Sequence, residues 1–430
     1  MTEADAAAWL CTADAVRSRA HAMLALAEAG RLAHFTVDVA RLDDAAAYVA
    51  SVVRTAYPDL RIPHHARWRH FAAGGIDRWG PIGTALARLG ADEVARVRFE
   101  LCVVSVLLDA GAGPDWRYTE PGTGMVLARS EGLAVASLRA FEAGLFAGEG
   151  GMRADVAGLA RIDAAVLRRA FMVDDGNPMP GLDGRAALLR GLGAALVARP
   201  EMFGQDEPRV GALFDYIVST SSGCAVDSPD PGSPPRMERA GLRMVTARDI
   251  LAAVLDGLGP VWPARIVLAG RRLGDVWPYQ DLPIEAGAPV DSMGLVPFHK
   301  LSQWLTYSLI EVFEDAGVVV TELDALTGLP EYRNGGLFLD LGVLRLREPR
   351  LADFALPPGH PGVVEWRALT VALLDRIAPP LRARLGRDEA ALPLSRLLEG
   401  GTWAAGRKVA AERRADGAPP LRIRSDGTVF

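Results

Sequence analysis

Apolar residues three and four positions apart, sustained over long segments, are the feature that most restricts how this chain can fold. Leu, Ala and Val keep that spacing through 15–32, 82–89 and 94–108, and again through 161–170 and 185–198. The spacing gathers apolar side chains on one face of an α-helix, and the Gly and Pro residues between segments act as stops. A further helix is expected over 133–145. The predicted class is therefore mainly α. From 203 to 292 the texture changes: the PDPGSPP run at 229–235 predicts a loop, and 264–268 reads as a short strand ahead of Gly270. We expect an N-terminal helical region over 1–202, a small α+β insertion over 203–292, and a C-terminal helical region over 293–430 that completes the same catalytic domain. No repeat period points to a solenoid.

The 430 residues are half hydrophobic and 23% charged, which supplies a packed core and excludes a disordered chain. A net charge of −6 argues against nucleic acid and against an anionic membrane surface as partners. Cys11, Cys102 and Cys224 lie far apart and read as reduced thiols. The acidic N-terminus is unlike a signal peptide, and no apolar run nears the roughly 18 residues of a membrane helix. A soluble cytoplasmic globular protein is expected.

The chain is rich in Arg and Ala and holds only two lysines, two asparagines and three glutamines. Lys300, Gln303 and Asn334, three of these seven, fall in one short stretch. Arg cannot replace Lys where a compact ammonium with an adjustable pKa is needed. Lys300, Gln303, Tyr307 and Glu311 share one helical face by spacing, with Leu301, Leu305, Leu309 and Val312 pointing elsewhere and Pro297 suited to the first turn. Glu331, Tyr332, Arg333 and Asn334 are consecutive polar residues between Pro330 and a glycine pair. Glu365 and Arg367 form a third polar island. His64, His65 and His70 lack a carboxylate or cysteine partner nearby in sequence, so they read as a partly exposed helix or loop, not as a metal site. Ser130 and Glu131 stand at a helix start, where they suit either a cap or an anion site. No dinucleotide, P-loop, zincin or nucleophile-elbow motif occurs in a usable context, so no cofactor and no catalytic metal are expected.

Arg129-Ser130-Glu131-Gly132, Pro297-Phe298-His299-Lys300 and the run from Leu326 to Gly336 resemble the uracil-catabolism protein family, over nearly the whole chain. A more distant likeness is to the queuosine-salvage enzymes, which cleave a nucleoside 5′-monophosphate at its N-glycosidic bond. Their Phe-Tyr-Lys helix and Asp-Tyr-Arg segment are similar to Phe298-His299-Lys300 and Glu331-Tyr332-Arg333. Their Val-Glu-Ile-Arg is similar to Val364-Glu365-Trp366-Arg367, and their Ser-Gly helix start to Ser130-Glu131-Gly132. The resemblance implies a helical, DNA-glycosylase-like architecture and active-site roles for Lys300 and Glu331. Glu in place of the catalytic Asp carries the carboxylate about one carbon–carbon bond further out, which fits a changed substrate.

Hydrolysis of an N-riboside passes through an oxocarbenium-like sugar that a carboxylate stabilises or serves as base. Glu331 is expected in that role, with Lys300 orienting it or binding sugar or phosphate. Arg333, Arg129 and the helix start at Ser130 and Glu131 are candidates for a 5′-phosphate. Trp116, Tyr118 and Trp304 are candidate pocket walls. His299, Gln303, Tyr307, Tyr332 and Asn334 are candidate substrate contacts, and Asp291 and Glu365 are the next carboxylates. The family context implies a ring-opened uracil ribonucleotide, such as a ribosylurea phosphate, cleaved to urea and ribose 5-phosphate, and an association with other uracil-catabolism enzymes. Two other classes stay open: a non-catalytic scaffold for those enzymes, and a ureido amidohydrolase, whose usual metal ligands or nucleophile are not visible here.

Overall fold

The computed structural model describes residues 2–109, 111–221, 243–283 and 287–424; the 229–235 run and Cys224 lie outside them. The described chain is mainly α, as the apolar spacing predicts, and its strands are short and pair two by two. It divides into two compact units. The first comprises 1–65, 263–304 and 323–430, the second 66–262 and 305–322. The 203–292 stretch is shared between them, and its described residues include the α-helices Ala212–Thr220 and Ala247–Gly257.

In the first unit the 25-residue helix Pro361–Leu385 is the central element, packed on Ala13–Glu28 and Leu42–Ala56. Proline opens it at a position whose N–H would have no helical partner, and Gly386 ends it in the left-handed conformation at φ +65°. The helix Tyr332–Asp340 lies against this central helix and against Ala404–Arg413. Two glycines permit the approach. A Cβ on Gly335 would stand 2.7 Å from the Trp366 ring, and one on Gly406 2.2 Å from the Arg333 carbonyl oxygen.

Pro297 does not open a helix. It ends the strand Leu295–Pro297, paired antiparallel with Val276–Pro278, and the helix begins at Lys300 after His299 turns the chain at φ +48°. A proline is tolerated in so short a pair because few ladder bonds depend on its missing N–H. The polar residues of the helix Lys300–Asp315 form no solvent-facing stripe over 302–310, where every residue is buried.

The second unit is built on Ala91–Leu107, buried on all sides over its second half, with Arg129–Glu142 and Leu182–Ala198 among its larger helices. Arg129–Glu142 starts four residues before the expected 133, so Ser130 and Glu131 lie inside its first turn. The residue before it is Ala128, and no side chain caps the end. Buried Glu120 accepts hydrogen bonds from Arg78 at 2.8 and 2.6 Å and from Arg139 at 2.6 Å, which holds its carboxyl down at about 2. Cys11 and Cys102 are buried thiols outside any disulfide, and burial pushes the Cys102 thiol up to about 12.

Candidate active site

Asp275, next to Gly274 at φ +63°, begins the site. Its carboxylate accepts two hydrogen bonds of 2.8 Å from the Arg367 guanidinium, one of 2.7 Å from the Trp277 indole, and one of 3.1 Å from the Lys300 backbone N–H. It therefore satisfies the open end of the Lys300–Asp315 helix and fixes where Lys300 departs from the chain. Burial opposes the charge on Asp275, but the guanidinium outweighs it and holds the carboxyl below its usual range. Arg367 also lies 4.0 Å over the Phe298 ring, and its Nε donates to the Pro330 carbonyl at 3.4 Å. One buried guanidinium thus ties the segment before Lys300 to the segment before Glu331.

Glu331 is the N-cap of Tyr332–Asp340. Its two carboxylate oxygens accept the backbone N–H groups of Arg333, at 2.7 Å, and Asn334, at 2.5 Å. Each oxygen keeps lone-pair capacity for a further partner. The side chain is buried, and burial pushes its carboxyl above the ordinary value, against the two N–H groups, the Lys300 charge and the charge that His65 brings when protonated. Lys300 is half-buried, with its ammonium 5.7 Å from the centre of the Trp304 ring.

The other predicted residues of this unit divide clearly. Gln303 is fully buried and accepts the Thr327 backbone N–H at 2.8 Å, while its amide donates to the Phe298 carbonyl at 3.1 Å. It clamps the segment that delivers Glu331. Arg333 donates to the Gly417 carbonyl at 2.8 Å and stacks on exposed Tyr332. Asn334 donates from its amide nitrogen to the Leu329 carbonyl at 3.2 Å, and its buried side-chain oxygen has no donor among the described residues. His299 is a core residue bonded to the Leu10 carbonyl at 2.8 Å, and burial lowers its pKa. Glu365 is buried, taking the His34 N–H and the Tyr279 hydroxyl at 3.0 Å each, so it is bound to structural duties. Asp291 is exposed.

The remaining predicted residues belong to the second unit. Trp116 and Tyr118 are core aromatics with rings 6.5 Å apart, and the Trp116 indole donates to the Phe171 carbonyl. Ser130 donates to Asp109, itself paired with Arg67 at 2.6 Å; Arg129 is exposed and Glu131 half-buried. Tyr307 is fully buried, and Glu311 pairs with Arg69 at 2.6 Å.

His64 and His65 are buried, not partly exposed. His64 bonds the Ser395 hydroxyl, and His65 bonds Glu399, each at 2.6 Å. The partners lie more than 300 residues away in sequence, so local reading could not supply them. Glu399 sits in a turn of π-helix, Leu398–Trp403, a wound segment that recurs at functional sites and that is marked here by a glycine pair. Among the described residues no group of three or more His, Cys, Asp or Glu is arranged to hold a metal ion, and no helix is long and apolar enough to cross a membrane.

A family profile described as "Protein of unknown function (DUF1688)" matches residues 9–430. The chain is 37% identical over 423 residues to "Uracil catabolism protein 4" of Lachancea kluyveri, covering 92% of each chain. It is 38% identical over 426 residues to "Protein urg3" of Schizosaccharomyces pombe, covering 96% of each.

Proposed function

We propose, for a chain that belongs to the DUF1688 family, a role in the degradation of uracil as a hydrolase of an N-glycosidic bond. The substrate is a ring-opened uracil ribonucleotide of the ribosylurea phosphate kind, and the products are urea and ribose 5-phosphate. The name carried by the Lachancea relative supports the pathway. The observation that carries the reaction is the Glu331 carboxylate, sunk at a helix start with the Lys300 charge acting on it. A buried carboxylate acts on a developing oxocarbenium charge through a low local dielectric, where such stabilisation is strongest. Lys300 favours the ionised form of Glu331 against the burial that opposes it, and Arg333 is the nearest guanidinium in sequence for a phosphate. Asn334 offers a buried acceptor for a sugar hydroxyl or ureido N–H. Incubating the purified chain with N-ribosylurea 5-phosphate tests the reading. Release of reducing sugar and urea in equal amounts is expected; ammonia without sugar would place the chemistry at the ureido bond instead.

A further inference from the structure

The mechanism above leaves the leaving group without a proton donor. Urea is a poor leaving group as its anion, so the nitrogen must be protonated as the C1′–N bond breaks. We propose that His65 is this donor and that Glu399 is the residue that positions it. The inference rests on the glycosidic reading and adds the acid that reading lacks.

The geometry supplies three parts. His65 Nδ1 is 2.6 Å from a Glu399 carboxylate oxygen; an ionised carboxylate only accepts, so Nδ1 carries the hydrogen and the ring orientation is fixed. Nε2 makes no hydrogen bond among the described residues, and 7% of the His65 side chain stays exposed, so this nitrogen remains available to a ligand. The π-turn that presents Glu399 packs against Tyr332–Asp340, the helix capped by Glu331, and the His65 charge acts on the Glu331 carboxyl. The Trp403 ring lies 5.5 Å away and is itself covered by the Arg407 guanidinium, and the adjacent residue in the chain, His64, bonds Ser395. The arrangement pairs a histidine with an orienting carboxylate, the division of labour that general acids and bases commonly use.

The C1′–N bond breaks, with its electron pair going to nitrogen, and that nitrogen takes the Nε2 proton of doubly protonated His65. Water adds its oxygen to C1′, and the proton released passes to Glu331. Both groups then return to their starting states by exchange with solvent.

The test compares two leaving groups in the full chain: N-ribosylurea 5-phosphate, which needs an acid, and 4-nitrophenyl riboside 5-phosphate, whose phenolate departs unaided. His65→Asn keeps an amide near the Nδ1 position for Glu399 and deletes Nε2. It should lower kcat/KM for the ureido substrate by about 10²- to 10⁴-fold and shift the ratio of the two rates by at least about 10². Glu399→Gln should shift the ratio the same way by less, which a merely structural carboxylate would not do. Glu331→Gln should depress both substrates together. Equal losses on both substrates for His65→Asn, or no loss, would overturn the assignment. A wild-type chain that cleaves neither substrate would instead remove the glycosidic reading, and this role with it. Carbon-13 titration of the Glu331 carboxyl provides a check without turnover: its midpoint should rise in His65→Asn, and an unmoved midpoint would show that the dyad does not face Glu331.

Discussion

Asp275 and Arg367 face each other through two parallel hydrogen bonds of 2.8 Å, and both lie almost wholly out of water. Between them they hold the N-terminal end of the Lys300 helix and the carbonyl just before Glu331. On the proposed reading, where Lys300 stands relative to Glu331 therefore depends on a third, charged pair. A bidentate guanidinium–carboxylate contact is suited to that work because it fixes angle as well as distance.

Asp275→Asn should cost about 3–5 kcal/mol in unfolding free energy, because it leaves the Arg367 charge buried without its partner. Removing both charges, as Asp275→Asn with Arg367→Met, should recover part of that loss while activity stays low. Urea unfolding measures both. A loss below about 1 kcal/mol for the single change would mean that the pair does not organise this unit.

The capping role of Glu331 can be separated from its proposed catalytic one. Asp is a good N-cap, so Glu331→Asp should melt close to wild type yet lose activity, its carboxylate being about one carbon–carbon bond short. Glu331→Gln sets an NH₂ group against one of two backbone N–H donors and should cost about 1–2 kcal/mol as well as turnover. Thermal melts beside single-turnover sugar release distinguish the cases. An active Glu331→Asp enzyme would point to another carboxylate.

Burial raises the Glu331 carboxyl, and the Lys300 ammonium opposes the rise. If ionised Glu331 is required, the acid limb of the rate profile should fall above the ordinary glutamate range. Lys300→Met should move that limb to still higher pH, because a positive charge that favoured ionisation has gone. Lys300→Arg should also reduce the rate, since a planar guanidinium does not fit the place of an ammonium. An acid limb unmoved by Lys300→Met would show that the two charges do not interact.

Glu120 should govern acid stability in the second unit. Its folded pKa is about 2 against an ordinary 4.5, so the unfolded chain binds more protons and stability rises with pH across that window. The stabilisation is full above the unfolded value and is lost as pH falls from 4.5 toward about 2. Wild type should exceed Glu120→Gln most at neutral pH, with the gap shrinking through that interval. Unfolding free energies at a series of pH values check the sign.

Helical periodicity was legible in the sequence because it is local: three- and four-residue spacing needs only the chain's own geometry. It placed the segments that became Ala13–Glu28, Ala91–Leu107 and Leu182–Ala198. The scarcity of Lys, Gln and Asn likewise drew attention to Lys300, Gln303 and Asn334 before any contact was known.

What the sequence could not carry were pairings across long separations and the burial that follows from them. Asp275 and Arg367 are 92 residues apart, and His65 and Glu399 are 334 apart. A lone histidine or aspartate gives no local sign of the partner that makes its burial tolerable. Glu365 and Glu331 look alike as polar residues in apolar surroundings. Packing alone gave one to a tyrosine hydroxyl and a backbone amide, and set the other at a helix start under the charges of Lys300 and His65. Residue identity and helical period were thus fixed along the chain. Which charges became buried, and against what, was decided only when distant segments closed on one another, since the cost of burying a charge depends on its neighbours in space.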